Sequence, residues 1–385
     1  MSKQIVIVGG GIIGLSAAVA CAQRGHRVTV IERQSAIRTG CSFGNAGMIV
    51  PSHFTPLAAP GMVALGLKWM WNPESPFYIK PRLSWELAMW ARQFWKASTA
   101  AHVKRSAPLL RDLNLASRER YARLAEEEDF GLVQRGLLML CKSQRALEEE
   151  AHVAEQANAF GVPAQVLDPR ATAELDPDVT MEIAGSVYFP KDCHLQPERY
   201  MELLEKRLRT AGGELLFDTE IVGWRREAGR IVAVQTQHGE VAGDEFILCG
   251  GSWSAKTIRG LGLRLPMQAG KGYSITLPRP VELPRLCAIF TEARVAITPM
   301  NGALRFGGTM EMAGLNETIN PRRIEGILKA IPRYYPAFRR EHFKGLEPWS
   351  GLRPCSPDGL PYLGRTAAAS NLIVATGHSM MGVSL

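Results

Sequence analysis

The segment that most constrains the fold of this chain lies at its amino terminus, where an apolar run is followed at once by closely spaced glycines. Residues 4–8 (QIVIV) have the β-branched composition of a buried strand. Residues 9–14 (GGGIIG) match the spacing G-x-G-x-x-G, and an alanine-rich helical segment follows at residues 15–22. The sequence therefore carries a dinucleotide-binding fingerprint after a strand and before a helix, which is the context that this fingerprint requires.

Each glycine of the fingerprint has a separate physical task. Gly9 permits the tight turn, Gly11 lets the backbone approach a pyrophosphate, and Gly14 lets the helix pack closely on the strand. The phosphates are then expected at the helix N-terminus beside Ile12 and Ile13, where backbone N–H groups and the helix dipole favour negative charge.

The second half of the fingerprint is an acidic residue at the end of the next predicted strand. Residues 27–31 (RVTVI) form that strand and are followed by Glu32, eighteen residues after Gly14. A carboxylate at this place accepts hydrogen bonds from ribose hydroxyls and repels a 2′-phosphate. A tight strand–helix turn without a bound nucleotide would not require the glycines, the second strand and Glu32 to occur together. Glu32 suits NAD as well as FAD, so an NAD-dependent enzyme stays an alternative.

Length and composition limit the classes of protein to consider. At 385 residues the chain exceeds one ordinary core, so we expect two domains. Its 46% hydrophobic and 21% charged residues describe a globular protein rather than a disordered one. No run of about 18 apolar residues predicts a transmembrane helix. The seven cysteines are scattered without a C-x-x-C pair, which argues against a disulfide framework or a metal site and favours the cytoplasm.

The charge of the chain bears on its partners. Its formal net charge is +8, but the basic residues are dispersed, so we expect no nucleic-acid partner and leave attraction to an acidic membrane surface open. Trp85, Trp90 and Trp95 are spaced by five residues, which spreads them around a helix. We therefore favour packing of these rings within the protein over a membrane-dipping face.

The predicted elements leave the nucleotide-binding fold and return to it at least twice. A helix is predicted over residues 197–209, and apolar strands over 214–217, 245–249 and 372–376. Residues 265–310 alternate short strands with Gly/Pro turns, which predicts a mostly antiparallel sheet. We therefore expect a nucleotide-binding domain built from non-contiguous segments, with a second domain inserted.

Five motifs occur in one order along the chain. They are the fingerprint with Glu32, then residues 42–47 (SFGNAG), 271–274 (KGYS), 351–361 (GLRPCSPDGLP) and 377–382 (GHSMMG). In this combination the sequence resembles FAD-dependent D-amino acid dehydrogenases, within the wider superfamily of D-amino acid oxidase, glycine oxidase and sarcosine oxidase. The resemblance spans essentially the whole chain.

Two further features qualify this resemblance. Residues 51–57 (PSHFTPL) are similar to the branch that includes D-proline and D-hydroxyproline dehydrogenases. Such proteins usually continue past the last motif with a full helix, whereas this sequence ends at Leu385. We expect weaker retention of the flavin if that helix is absent.

The resemblance implies an α/β fold with non-covalent FAD. We expect a Rossmann-like FAD-binding domain with an inserted α+β substrate domain built on an antiparallel sheet. The predicted boundaries are 1–60, 165–262 and 345–385 for the discontinuous FAD-binding domain, and 61–164 and 263–344 for the substrate-binding domain.

The same resemblance assigns further FAD contacts. Arg33 flanks the adenine, the loop at residues 42–47 reaches pyrophosphate and flavin through backbone N–H groups, and Val222 contacts the adenine. The last motif is expected to begin a helix whose N-terminus points at the flavin N1–C2=O edge, where negative charge accumulates on reduction. The predicted contacts beyond the fingerprint are Arg33, Ser42, Gly44, Asn45, Gly47, Val222, Gly250, Gly251, Gly377, His378, Ser379, Met380, Met381 and Gly382.

The substrate of such an enzyme carries a carboxylate and so requires a cation. Arg353 is the best candidate, because its two-pronged donor matches carboxylate geometry and it lies where the resembled oxidases place their carboxylate-binding arginine. Tyr273 is expected to add a hydroxyl to the same carboxylate, and His53 to line the pocket. No catalytic acid or base is required, because the nitrogen lone pair drives expulsion of the hydride from Cα.

The predicted activity is oxidative deamination of D-amino acids, including D-proline or D-hydroxyproline, with electrons passed to a quinone or another acceptor that is not oxygen. We expect a cytoplasmic enzyme and leave open a peripheral contact with the cytoplasmic face of the inner membrane. One alternative is an oxidase of the glycine oxidase or sarcosine oxidase type that returns electrons to oxygen. Another is a flavoprotein subunit that turns over only with a partner.

Overall fold

The fold was analysed in a computed structural model, which describes residues 1–37, 39–70 and 74–385. In those residues the strands are β1 (Gln4–Val8), β2 (Arg27–Ile31), β3 (Met48–Ile49), β4 (Phe77–Ile79), β5 (Leu137–Cys141), β6 (Gln165–Leu167), β7 (Gly185–Phe189), β8 (Cys193–His194), β9 (Glu214–Leu216), β10 (Ile221–Glu227), β11 (Arg230–Thr236), β12 (Gly239–Ala242), β13 (Glu245–Leu248), β14 (Gln268–Leu277), β15 (Cys287–Phe290), β16 (Val295–Met300), β17 (Ala303–Met312), β18 (Trp349–Cys355), β19 (Tyr362–Arg365) and β20 (Leu372–Thr376).

The α-helices of the same residues are fewer and vary widely in length. They are α1 (Ile12–Ala22), α2 (Met62–Met70), α3 (Trp85–Ala97), α4 (Ala100–Glu127), α5 (Gln144–Ala159), α6 (Pro169–Leu175), α7 (Pro197–Thr210), α8 (Ser254–Thr257) and α9 (Pro321–Tyr334). None of these described helices combines the length and apolarity needed to cross a bilayer.

The first layer is a six-stranded sheet in the order β19-β20-β13-β1-β2-β9. Its pairs are parallel except for β19 against β20. Alternate side chains of β1 supply two cores, because successive residues of a strand point to opposite faces. Ile5 and Ile7 pack with helices α1 and α7, whereas Val6 and Val8 pack with the small sheet β10-β11-β12. The α/β fold predicted from the sequence is confirmed.

The second layer is a larger sheet in the order β18-β14-β17-β16-β15-β5-β7-β6, with β4 paired to β17. Strands β14 to β17 pair antiparallel, as predicted for residues 265–310. Helix α9 covers one face, where Ile327 and Ile331 join a core with Tyr273, Phe290 and Phe306. The other face of β14 and β18 is directed at the first layer.

Three strands from segments that the predicted boundaries assign to the FAD-binding domain lie in the larger sheet. β6 and β7 pair with each other and with β5, and β18 pairs with β14, so all three belong to the larger sheet. The predicted boundaries placed these segments in the FAD-binding domain. An apolar run predicts a strand, but the register that joins Leu137 to Phe189 depends on the partner and cannot be read from local sequence.

Helix α3 carries Trp85, Trp90 and Trp95 at a spacing of five residues, which predicts that they are spread around the helix. Trp90 is buried and donates its Nε1–H to the carbonyl oxygen of Cys355 at 2.9 Å. Trp85 and Trp95 are 73% and 65% exposed. The prediction that the three rings lie on different faces is confirmed, but the expected packing inside the protein holds for Trp90 and not for the other two.

Candidate active site

A cavity of about 360 Å³ lies between the carboxyl edge of the six-stranded sheet and strand β18 of the larger sheet. It is lined at one end by the fingerprint and at the other by Arg353. The predicted site residues that line it are Gly9, Gly11, Ile12, Ile13, Glu32, Arg33, Ser42, Asn45, Val222, Gly250, Gly251, Arg353, His378, Ser379, Met380 and Gly382.

The fingerprint glycines are required by contacts at the start of α1. A Cβ on Gly14 would lie 1.9 Å from the Gly9 carbonyl oxygen, so the close approach of helix and strand excludes any side chain. Gly9 has a φ of +108°, which favours glycine. A Cβ on Gly11 would meet only the Ser42 hydroxyl, at 3.3 Å, and would otherwise project into the cavity. Gly11 is the N-cap of α1 and has no side chain that could cap it, and the first turn of the helix lines the cavity.

Glu32 stands at the carboxyl end of β2, beside this N-terminus. Its carboxylate accepts hydrogen bonds from the backbone N–H of Gly10 at 2.7 Å and of Gln34 at 2.8 Å. The two bonds hold the carboxylate at the cavity wall, where ribose hydroxyls would bind. The guanidinium of Arg33 lies 3.6 Å from the ring centroid of Trp253, so this end of the cavity has an aromatic and cationic wall.

The loop at residues 42–47 supports the cavity more than it lines it. Ser42 Oγ accepts the N–H of Ile12 at 3.0 Å, which fixes the loop to the helix N-terminus. A Cβ on Gly44 would lie 2.1 Å from the Trp349 ring, and one on Gly47, which has a φ of +71°, would lie 2.2 Å from the Leu195 carbonyl oxygen. Gly44, Gly47 and Gly14 are therefore needed for packing. They were predicted to contact the cofactor directly, but they do not line the cavity.

After β20 the described residues form turns, and one helical turn begins within the last motif, because the N–H groups of Ser384 and Leu385 bond to the Met381 carbonyl oxygen at 2.9 and 2.8 Å. Ser379 lies before this turn and has a φ of +52°. The backbone N–H of Ser379 bonds to the Pro354 carbonyl at 2.9 Å, and His378 forms an isolated bridge with Cys355. These bonds direct the motif to β18, beside Arg353. Gly377 and Met381 do not line the cavity.

His378 is buried and uncharged at neutral pH. Burial lowers the pKa of its imidazole to about 4. Two sulfur neighbours of Arg353 are uncharged too, because burial raises the pKa of the Cys41 thiol to about 12 and raises that of Cys355. Arg353 is thus the formal cation at this end of the cavity, with no ionised thiol to offset it.

Arg353 is held on the sheet by its backbone and side-chain contacts. Its Nη1 donates to the carbonyl oxygen of Thr309 at 2.6 Å. In the part of the chain that the structure describes, no carboxylate forms an ion pair with Arg353. Desolvation lowers the pKa of the guanidinium, a cost that an anionic partner would offset. The arrangement is suited to a carboxylate entering from the cavity.

The structure does not bring Tyr273 to Arg353. Tyr273 and Arg353 project from opposite faces of the sheet, because Gly272 lies under the guanidinium and successive residues of a strand alternate. The Tyr273 hydroxyl donates to Glu311 instead, and burial together with this carboxylate raises the tyrosine pKa well above its ordinary value. The predicted hydrogen bond from Tyr273 to the substrate is therefore wrong for this structure.

His53 also lies elsewhere. Its Nδ1 is 2.9 Å from Ser52 Oγ, which in turn donates to the buried carboxyl of Asp192 at 2.5 Å. His53 does not line the cavity in the residues described. Desolvation lowers its pKa to about 4. His53 is linked through Ser52 to Asp192, which is far away in the sequence, so its position could not be predicted from the local loop sequence.

Sequence reasoning missed the aromatic residues of the cavity, which are Phe43, Trp224, Trp253 and Trp349. The Trp349 indole fits over two glycines, since a Cβ on Gly44 or Gly351 would lie 2.1 or 2.3 Å from its ring, and its Nε1 donates to the Thr39 carbonyl at 2.6 Å. The available signal was the position of Trp349, two residues before the motif that contains Arg353.

Comparisons with known proteins agree with this geometry. Residues 4–385 match the family described as DAO, FAD dependent oxidoreductase. A D-amino acid dehydrogenase of Vibrio atlanticus is 31% identical over 98% of this chain and 92% of its own length. One from Helicobacter pylori is 30% identical over 100% and 92%. The crystal structure of glycine oxidase from Geobacillus kaustophilus superposes with a TM-score of 0.78 at 24% identity, covering 100% of this chain and 91% of that one.

Proposed function

This chain belongs to the DAO family of FAD-dependent oxidoreductases, and from that premise we propose that it is a D-amino acid dehydrogenase. One observation carries the proposal: a single cavity joins a glycine-rich helix N-terminus, suited to a pyrophosphate, to an arginine with which no described carboxylate forms an ion pair. The first feature binds a dinucleotide, and the second binds the carboxylate of a substrate.

The residues present fit FAD. The space over Gly11, which a Cβ would enter, would hold the pyrophosphate beside the N–H of Ile13, while the N–H of Ile12 is already bonded to Ser42 Oγ. Glu32 holds the ribose, and Val222 lines the adenine end from β10, where its side chain is 68% exposed. When bound, FAD supplies the two-electron acceptor to which the substrate Cα–H is transferred as a hydride.

The chain itself binds and orients the amino acid. Arg353 would hold the carboxylate and so fix one end of the substrate within the cavity. His378, which also lines the cavity, has a lowered pKa and so adds no second positive charge there at neutral pH. The substrate amine is unprotonated, and its lone pair forms the C=N bond as the hydride leaves. Water then hydrolyses the imino acid to a 2-oxo acid and ammonia, without a proton-transfer residue of the protein.

The proposal is for D-amino acids in general. The narrower preference for D-proline or D-hydroxyproline was based on residues 51–57, and His53 of that segment makes no contact with the cavity in the described structure. A proline-like substrate would leave as a stable cyclic imine. Whether that ring is preferred is decided by a substrate panel.

The acceptor that we propose is a quinone reached at an acidic membrane surface. Helix α2 has no buried residue, and exposed apolar side chains on it and around α3 form one stretch of the chain: Leu67, Leu83, Trp85 and Trp95, which are 59%, 109%, 73% and 65% exposed. Interfacial tryptophans and a net charge of +8 favour a peripheral contact. We place the enzyme on the cytoplasmic face of the inner membrane.

Vesicle sedimentation tests this contact. We expect the holoenzyme to sediment with vesicles of anionic lipid and to bind zwitterionic vesicles less. Replacing Trp85 and Trp95 by serine should weaken sedimentation, whereas replacing the exposed Val166 by serine on β6 should not. Equal sedimentation of the wild type, the tryptophan variant and the Val166 variant would refute a contact made through Trp85 and Trp95. The proposed chemistry would be unaffected.

The proposed reaction is tested with a panel of D- and L-amino acids, proline analogues included, assayed by reduction of a dye. We expect D-amino acids to be oxidised, and the anaerobically reduced enzyme to reoxidise slowly in air. Fast reoxidation with release of peroxide would instead establish an oxidase of the glycine oxidase type. A flavin-free protein that reduces NAD would refute the FAD-dependent activity altogether.

A further inference from the structure

The guanidinium of Arg353 lies over a glycine of the neighbouring strand. Strands β14 and β18 pair so that Gly270 is opposite Arg353 and Gly272 opposite Gly351. A Cβ built on Gly272 would lie 2.2 Å from Nη2, 2.3 Å from Cζ and 2.6 Å from Nη1 of Arg353. The guanidinium therefore occupies the space that any side chain on Gly272 would need.

A second contact fixes the same group from the next strand. The pairing of β14 with β17 changes register between Tyr273↔Gly308 and Lys271↔Glu311, so β17 carries an extra residue there. The bulge contains Thr309, a β-branched residue with a φ of +65°, which is a rare conformation for this residue type. Its carbonyl oxygen accepts the hydrogen bond from Arg353 Nη1 at 2.6 Å.

We propose that Gly272 and the Thr309 carbonyl are the positioning elements of the substrate carboxylate site. The proposal rests on the proposed function, in which Arg353 binds that carboxylate. Gly272 lets the guanidinium lie against the sheet, and the Thr309 carbonyl takes one N–H group, so the remaining donors are presented to the cavity. A long arginine side chain loses much rotamer freedom on binding a ligand, and holding it in advance removes part of that cost.

The arrangement also explains the KGYS motif. Gly272 serves the cavity face of the sheet, whereas its neighbours Lys271 and Tyr273 serve the opposite face. There Lys271 donates to the Thr318 carbonyl at 2.6 Å and Tyr273 donates to Glu311. The two buried side chains anchor the strand, and the residue between them keeps the other face bare.

The test compares two Gly→Ala substitutions in the same sheet. Gly272→Ala places a methyl group where the guanidinium is, and Gly272 does not have the positive φ that would itself disfavour alanine. Gly307→Ala on β17 is the matched control, because the nearest atoms to its Cβ are the Ser274 Cβ and the Tyr273 carbonyl oxygen, both at 3.7 Å. Each variant adds one methyl group, but only the first displaces Arg353.

Two readouts are measured on the FAD-loaded proteins. Calorimetric titration with benzoate, an aromatic monocarboxylate, reports carboxylate binding without turnover, and dye reduction gives KM and kcat for a D-amino acid. For Gly272→Ala we expect benzoate affinity to fall and KM to rise by about 10-fold or more, with flavin absorbance retained and a smaller change in kcat. Gly307→Ala should change either value by less than about 2-fold. Unchanged benzoate affinity in Gly272→Ala would overturn the proposal.

A double variant keeps the test decisive if Gly272→Ala folds poorly. In Arg353→Ala the space over residue 272 is free. The double variant should therefore fold better than Gly272→Ala alone and bind benzoate as weakly as Arg353→Ala alone. If the double variant is as unstable as Gly272→Ala, the glycine serves the sheet and not the arginine, and the proposal fails. Benzoate binding that depends on Arg353 in a protein that oxidises no D-amino acid would refute the proposed function and leave the positioning intact.

Discussion

Replacement of the buried Asp192 by asparagine should change how the stability of the protein depends on pH. The Asp192 carboxyl is fully buried, accepts hydrogen bonds from the backbone N–H and the hydroxyl of Ser52, and forms no ion pair with a described cation. Desolvation is the largest cause that raises its pKa, from 3.8 to about 7. A tenfold change in proton affinity is worth about 1.4 kcal/mol, so this displacement corresponds to about 4 kcal/mol as an upper estimate.

The sign follows from where the proton is held. Between about pH 4 and pH 7 the folded protein keeps the proton on Asp192, whereas the unfolded chain has released it. The stabilising contribution is therefore fully present below about pH 4 and is lost as the pH rises through about 7. The asparagine side chain of the variant has no such titration. Relative to wild type, Asp192→Asn should thus gain stability with rising pH, by up to about 4 kcal/mol at about pH 8.

Thermal unfolding of both holoproteins from about pH 4 to about pH 8 measures this effect. Subtracting one curve from the other removes the histidines, among them His378, whose lowered pKa acts in the opposite direction. Asp178→Asn is the control: Asp178 is exposed and its pKa is lowered by Arg285, so that difference should be small and of opposite sign. A wild-type-minus-Asp192→Asn difference that is constant over this range would refute a raised pKa at Asp192.

Other substitutions test the cavity directly. Arg353→Ala should raise KM for a D-amino acid by about 100-fold or more while FAD stays bound, because two charge-assisted hydrogen bonds are lost. Tyr273→Phe, on the opposite face of the sheet, should leave KM within about 3-fold of the wild-type value and lower the thermal midpoint. An unchanged KM in Arg353→Ala removes this residue from the site. Gly14→Ala, whose Cβ would lie 1.9 Å from the Gly9 carbonyl oxygen, should purify without flavin absorbance, whereas Gly25→Ala, with open space around its Cβ, should keep the flavin at some cost in stability from its φ of +80°. A yellow Gly14→Ala protein would contradict the close packing of α1.

The features that the sequence could predict are those set by neighbouring residues. Strand β1, the fingerprint and helix α1 follow one another directly along the chain, and each glycine there has a local reason. Arg353 was identified because a carboxylate needs a cation and the motif placed it near the end of the chain. The antiparallel sheet was evident from short apolar runs between turns.

The features that could not be predicted depend on partners far apart in the chain. Which face of β14 carries Tyr273 relative to Arg353 follows from pairing with β18, and the Thr309 bulge becomes visible only against β14. His53 contacts Ser52, which bonds to Asp192, and β7 pairs with β5. Neither arrangement can be predicted from the spacing of residues in the sequence. The last motif predicts a helix start, which the bond from the Leu385 N–H to the Met381 carbonyl agrees with, but its bonds to Pro354 and Cys355 of β18 could not be predicted from the motif.

The strand order of the six-stranded sheet has a consequence for biosynthesis. Strand β1 lies between β2 and β13, and its residue Ile5 is paired with Glu245, so β1 lacks one of its two neighbours until synthesis has reached β13. β20 joins the opposite side of β13 later still. We therefore expect FAD to bind only after β13 and β20 have been synthesised, and riboflavin starvation to leave apoprotein in the cell.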